Sequence, residues 1–331
     1  VRALCVTLLL LAAGCPAARP PPASGAPPPC DTLALVGAAE PEALAADPLG
    51  GLALAGGFSG TLRAGPATAA SAGGADVFVL RTAPDGSVRW LHRLGGAGEE
   101  RAAAVALSRE GDAAVSGAAG GRCFAARLGA ADGREIWRAA FDADSTCRAL
   151  AFDAQGDLWM AGSFSGSLFG RVASAGMTDI FVARFSGASG EVQLLRGIGG
   201  KGRDLARALA ISPQGEVLVA GQFGGEVDVS EAGVDFGKGP VQSAGDFDAF
   251  LLALGADGAT RWVATFGDNG DDDLAAIAVG VDGAIYGAGH HQPAGNYQGL
   301  VPRGVGSYTA IGARWSAAGP RVLVRVLVGD N

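Results

Sequence analysis

The chain has 331 residues, a formal net charge of −8, 18% charged residues and 49% hydrophobic ones. An acidic, charge-poor chain lacks the basic face that phosphate neutralisation requires, which excludes nucleic acid as a partner. The length allows one or two domains with a sizeable core. Gly and Pro together make about one residue in five, which points to many turns.

Residues 1–14 read as an export signal. Arg2 gives a short positive start, and Val6–Ala13 is an apolar run too short to span a bilayer. The stretch Leu11-Ala12-Ala13-Gly14-Cys15 resembles a bacterial lipobox, with Ala12 where Leu is usual. It predicts cleavage before Cys15 and lipid attachment at Cys15, the one contact with a membrane that is expected. Pro16 is not Asp, which favours outer-membrane sorting. Residues 15–30 form a tether. Seven prolines fall within 16–29, and such a run favours an extended polyproline II stalk of roughly 40 Å.

From residue 31 onward one domain is expected, built on an internal repeat. Turn glycines fall at Gly50, Gly111, Gly156, Gly215 and Gly283, and six residues after each comes another Gly. Seven and five residues before each stands Ala, as in Ala43/Ala45 and Ala208/Ala210. Larger apolar residues occupy most of the interleaved positions, as in Val105/Leu107, Leu150/Phe152, Leu209/Ile211 and Ile277/Val279. Alternation at period two gives a strand with a small face and a bulky face. Stacked sheets would then oppose small to large. These two strands are a and b.

A second hairpin follows in each unit. Its first strand, c, carries Phe78, Phe124, Phe181, Phe250 or Ile311, and four copies place Arg three residues on: Arg81, Arg127, Arg184 and Arg314. A turn glycine then leads into strand d, with Trp90, Trp137, Leu194, Trp262 or Leu323 four residues later. Five units result, at about 38–94, 95–141, 142–198, 199–266 and 267–331. From the strand-b Gly to the strand-c aromatic the gap runs from 7 to 29 residues, while the other spacings barely change. Four-stranded antiparallel units repeated radially read as an all-β fold, a β-propeller, with a stacked solenoid as the competing architecture.

Two phrases carry a family resemblance: Gly199-Gly-Lys-Gly-Arg-Asp204 and the run Arg207 to Gly221, RALAISPQGEVLVAG. They resemble the bacterial seven-bladed β-propeller repeat family, over about residues 38–331. The resemblance implies a propeller and an exported protein, and it implies no activity. The chain departs from it in having five units, and in lacking the turn Asp in Gly98-Glu-Glu-Arg101 and Asp144-Ser-Thr146. Leu33–Gly37 looks like the end of a further strand d, so the ring could be closed by this segment or by Arg321–Val328.

Candidate chemistry is sparse. Cys123 begins strand c of unit two and Cys147 begins strand a of unit three. Both therefore lie at the same edge of neighbouring units, where a disulfide and two buried thiols are the alternatives. Gly267–Asp273 is the densest carboxylate cluster; it reads first as a turn and second as a Ca²⁺ loop. Adjacent His290 and His291 point opposite ways in a strand, which argues against zinc. The Arg series reads as solvated or carbonyl-bonding. No nucleophile elbow or phosphate-binding loop is present, so neither cofactor nor metal is expected. The expected function is binding of a protein or glycan, with a propeller enzyme acting on glycans or another extracellular substrate as the alternative. The variable b–c connections, Phe58–Ala75, Phe164–Thr178, Phe223–Gly245 and His290–Tyr308, would carry it, and shortening the unit-four connection would leave folding intact.

Overall fold

The structure is a computed structural model. It describes residues 34–47, 50–228, 231, 233–267, 269–292, 309–316 and 319–328. The signal, Cys15 and the tether lie outside these residues.

Five antiparallel sheets follow one another along the chain. The first holds β1 (Leu35–Ala46), β2 (Leu52–Ala64), β4 (Asp76–Thr82) and β5 (Val88–Leu94), with β3 (Ala67–Ala70) paired to β2. The second is β6 (Glu100–Leu107), β7 (Ala113–Ala119), β8 (Arg122–Leu128) and β9 (Glu135–Ala140). The third is β10 (Ser145–Phe152), β11 (Leu158–Phe164), β14 (Asp179–Phe185) and β15 (Val192–Ile198), with a small hairpin of β12 (Ser167–Leu168) and β13 (Val172–Ala173). The fourth is β16 (Arg203–Ile211), β17 (Val217–Gly225), β20 (Asp248–Leu254) and β21 (Thr260–Phe266), with the hairpin β18 (Gly233–Asp235) and β19 (Pro240–Gln242). The fifth is β22 (Asp272–Val279), β23 (Ile285–His291), β24 (Thr309–Ser316) and β25 (Gly319–Val328). Every sheet is an up-and-down meander, and the first strand of each packs near the first strand of the next. This is the β-propeller arrangement. Where the family resemblance implies seven blades, the described residues form five.

Four consecutive junctions repeat one packing rule. The alanine face of one sheet meets the bulky face of the next: Ala53 and Ala55 lie in one core with Val105, Val115, Phe124 and Leu128. The same opposition builds the cores between sheets two and three, three and four, and four and five. Burying each large side chain there contributes roughly 1.5–3 kcal/mol. Ala208 sits in the last of these cores beside Leu218, Leu251 and Leu274. Ala208→Leu is therefore expected to lower the unfolding free energy by about 1–3 kcal/mol in urea titration, by overpacking.

The glycine ending each b half has a steric cause. Strand a carries a bulge just before its first motif alanine, at Pro41/Ala43, Ala102/Ala104, Cys147/Ala149 and Ala206/Ala208. The bulge drives a carbonyl of strand a toward strand b, and a Cβ at Gly56, Gly117, Gly162, Gly221 or Gly289 would overlap that oxygen. The c–d turn glycines have a double cause. Gly133, Gly190 and Gly258 have φ of 71°, 73° and 76°, and a Cβ there would strike Trp90, Trp137 and Leu194 of the preceding sheet. The two indoles also donate across the junction, Trp90 Nε1 to Ala130 O (3.1 Å) and Trp137 Nε1 to Gly187 O (2.7 Å).

Two expectations are corrected. Leu35–Gly37 belongs to β1, whose Leu35 pairs with Ala64 of β2, so this segment does not supply a strand d to the fifth sheet. The long β1–β2 hairpin and β3 instead cover the first sheet's own bulky face, burying Phe58, Leu62, Phe78 and Leu80 in a core made of that sheet alone. Shortening the unit-four connection would cut into the core. Its Val234 and Phe236 are buried against Phe223 and Phe250, and Arg196 Nη2 donates to Phe236 O (2.7 Å). Loop-closure entropy changes slowly with length, but this loop is part of the core.

Candidate functional site

The meander gives the molecule two faces. One carries the b–c and d–a connections, the other the short a–b and c–d turns. On the first face, Asp76, Asp179 and Asp248 stand two residues before the strand-c aromatic, and all three are buried. Each accepts the backbone N–H four residues upstream, from Ala72 (2.8 Å), Ala175 (2.8 Å) and Ala244 (3.0 Å). The Asp-Xaa-Phe spacing of Asp76-Val77-Phe78, Asp179-Ile180-Phe181 and Asp248-Ala249-Phe250 was the available signal for these caps. Asp204 opens the fourth sheet and accepts from Gly200 N (2.8 Å) and Gly224 N (2.9 Å). Burial, helped by the charge of nearby Asp179, pushes its carboxyl up to about 6 against those hydrogen bonds. Burial also raises Asp179.

At the junction of sheets two and three the structure joins Cys123 and Cys147 in a disulfide, with Cα atoms 5.6 Å apart. Both residues are buried.

At the end of the Gly267–Asp273 turn two carboxylates face histidines. Asp272 pairs with His291 Nδ1, both buried, and Asp273 Oδ1 lies 2.9 Å from half-exposed His290 Nδ1. The register Asp272↔His291 and Asp273↔His290 sends the two imidazoles to opposite faces. Among the described residues no group of three His, Cys, Asp or Glu is placed to hold a metal ion.

Three members of the Arg series bind the a–b turn carboxylate of their own sheet. Arg81 is buried and paired with Asp47, with Nη1 donating to Thr82 O (2.9 Å). Arg127 Nη2 meets Asp112 at 2.8 Å while Nη1 reaches Gly187 O of the next sheet (2.8 Å). Arg314 Nη2 meets Asp282 at 3.0 Å. Arg184 lies farther from its carboxylate, Asp157 Oδ2 at 3.9 Å, and donates to Ala256 O of the next sheet (3.3 Å). Arg127 and Arg184 thus link neighbouring sheets, whereas the contacts of Arg81 and Arg314 stay within their own sheet.

The other face holds a feature that sequence reasoning missed. The a–b turns of sheets two to five, with the c–d turn of sheet four, line an open cavity of about 730 Å³. Leu107, Phe152, Ile211 and Val279, each the last or near-last residue of a strand a, form its apolar floor, and all four are half-buried. Arg109, Gln155, Gln214 and Glu216 stand on its rim.

No known family and no curated protein matches the chain. Solved structures that resemble it do so at low identity. A protein from Lactobacillus plantarum is 13% identical, with 86% of this chain and 84% of that one covered and a TM-score of 0.46. BamB from Moraxella catarrhalis is 15% identical over 78% of this chain, with a TM-score of 0.43, and the chain spans 59% of its length. The Dos1 propeller is 10% identical, with 88% and 84% covered and a TM-score of 0.43. The five antiparallel sheets, packed first strand beside first strand, define a β-propeller protein, and a fold by itself assigns no function.

Proposed function

We propose that this chain is a binding scaffold of the bacterial cell envelope, tethered through Cys15 and holding a protein or glycan on its b–c face without turning it over. One observation carries the reading. Three b–c connections add strands of their own, β3, β12–β13 and β18–β19, all on one face. Ordered additions on one side of a rigid repeat are what a recognition surface requires. No helix of the described residues is long and apolar enough to cross a membrane.

Exposed residues of that face give a test that spares the core. Met177 is 48% exposed, and Lys201 Nζ pairs with Glu231 at 2.6 Å on the surface beside it. The Met177→Glu, Lys201→Glu double variant is expected to fold normally and to lose capture of envelope material that the wild type retains. Cys15→Ala is expected to move the protein from membrane to soluble fractions. Undiminished capture by the double variant overturns the assigned face, and unchanged detergent partitioning of Cys15→Ala overturns the anchor.

A further inference from the structure

We infer that the cavity on the short-turn face is a second binding site, one that takes an extended peptide with an apolar side chain seated on its floor. The site is distinct from the b–c face and stands whether or not that face binds anything. Its volume of about 730 Å³ falls in the range of ligand pockets, roughly 300–1,000 Å³.

The lining chemistry selects the ligand. Charged lining residues are Arg109, Arg261, Asp153 and Glu216, two of each sign. A balanced lining suits neither a nucleic acid nor an anionic headgroup. Two of the four charges are already engaged. Asp153 accepts from Trp159 Nε1 (3.0 Å), Gln155 N (3.0 Å) and Asp157 N (2.9 Å), and Arg261 lies 3.3 Å from Asp257.

A sugar ring prefers an open aromatic platform, and the described lining residues offer none. Arg127 lies over the Phe152 ring at 5.2 Å, and Arg184 over the buried Trp159 ring at 5.6 Å. What remains is a floor of branched aliphatic groups, Leu107, Ile211 and Val279, with the free part of Phe152. Such a floor fits an aliphatic or aromatic side chain. The exposed amides of Gln155 and Gln214 stand on separate turns across the rim. An amide both donates and accepts, so the two match the alternating N–H and C=O groups of an extended backbone.

The test is selection of a displayed random-peptide library on the immobilised mature chain, with a glycan array probed in parallel. Selected peptides are expected to share an apolar residue. They are expected to lose at least tenfold in affinity on Gln155→Ala, Gln214→Ala, whose exposed positions spare folding, and on Ile211→Asp. They are expected to bind Met177→Glu, Lys201→Glu as tightly as wild type. The site is overturned if no peptide is enriched, or if enriched peptides ignore the cavity variants. It is equally overturned if the cavity variants abolish glycan signals and leave peptide binding alone. Loss of envelope capture by the b–c face variants, with peptide selection unaffected, separates this site from the proposed function.

Discussion

Replacing Cys123 and Cys147 together by Ala is expected to lower the unfolding free energy by about 3 kcal/mol. The two residues are 24 apart in sequence, and the chain-entropy relation for a closed loop of this length gives a loss of that order. Local structure explains why this junction has a covalent link. At the other junctions the first strand of the next sheet is held by a short backbone hydrogen bond: Glu100 N to Ala75 O (2.7 Å), Asp204 N to Thr178 O (2.7 Å) and Asp272 N to Phe247 O (2.8 Å). Here the equivalent bond, Ser145 N to Gly121 O, is 3.3 Å. The second sheet also has no b–c extension, since Gly120 and Gly121 close β7 to β8 directly with φ of 57° and 78°. It has no strand-c Asp cap either, because Arg122 and Cys123 precede Phe124. The disulfide therefore stands where both the loop cover and the carboxylate cap are missing. Urea unfolding of the oxidised wild type and of the double variant measures the difference. Equal midpoints, or two alkylatable thiols in the native unreduced protein, would show that the bond does not hold the sheets.

The strand plan was legible because each element is specified locally. Period-two alternation, the paired alanines ahead of each turn glycine and the aromatic of strand c are all short-range patterns within one unit. The opposition of small and bulky faces could be read for the same reason. Three features were not. Leu35–Gly37 has the composition of a strand d, and only its pairing with Arg63 and Ala64 shows that it prolongs strand a. Val234 and Phe236 sit among Gly, Asp and Glu, so their segment reads as a polar loop, yet tertiary packing places both in the core. The cavity on the short-turn face is assembled from four turns separated by some 45–70 residues each, and no local pattern announces it. Its floor residues were visible as the larger members of the alternation; what could not be seen is that their strand ends converge with room between them.

Stability is expected to fall as pH rises from about 4 to 7, through the buried carboxylates at the junction of sheets three and four. Asp204 ordinarily titrates near 3.8 and is pushed up to about 6 in the folded protein. The folded state therefore binds more protons than the unfolded chain across that window. By linkage, the contribution is fully present below the unfolded value and is lost as pH rises through the folded one. At 1.36 kcal/mol per unit the loss is about 3 kcal/mol. Asp179 shifts in the same direction because it too is buried, and its charge disfavours that of Asp204. Geometry names the variant that relieves this. Asp179 Oδ2 accepts from Ala175 N, while Oδ1 is buried with no hydrogen-bond partner. In Asp179→Asn the amide oxygen keeps the Ala175 bond and an NH2 group takes the place of the unpaired oxygen. The variant is expected to be more stable than wild type at pH 7.5, by about 1 kcal/mol or more, and to flatten the pH dependence between 4 and 7. At pH 4 the two should differ little, because Asp204 is then protonated in both. Comparing the proteins at each pH by urea titration cancels the exposed carboxylates common to both. A variant that is less stable than wild type at every pH would mean that the Asp179 carboxylate is a stabilising partner in this junction and not a charge the fold tolerates.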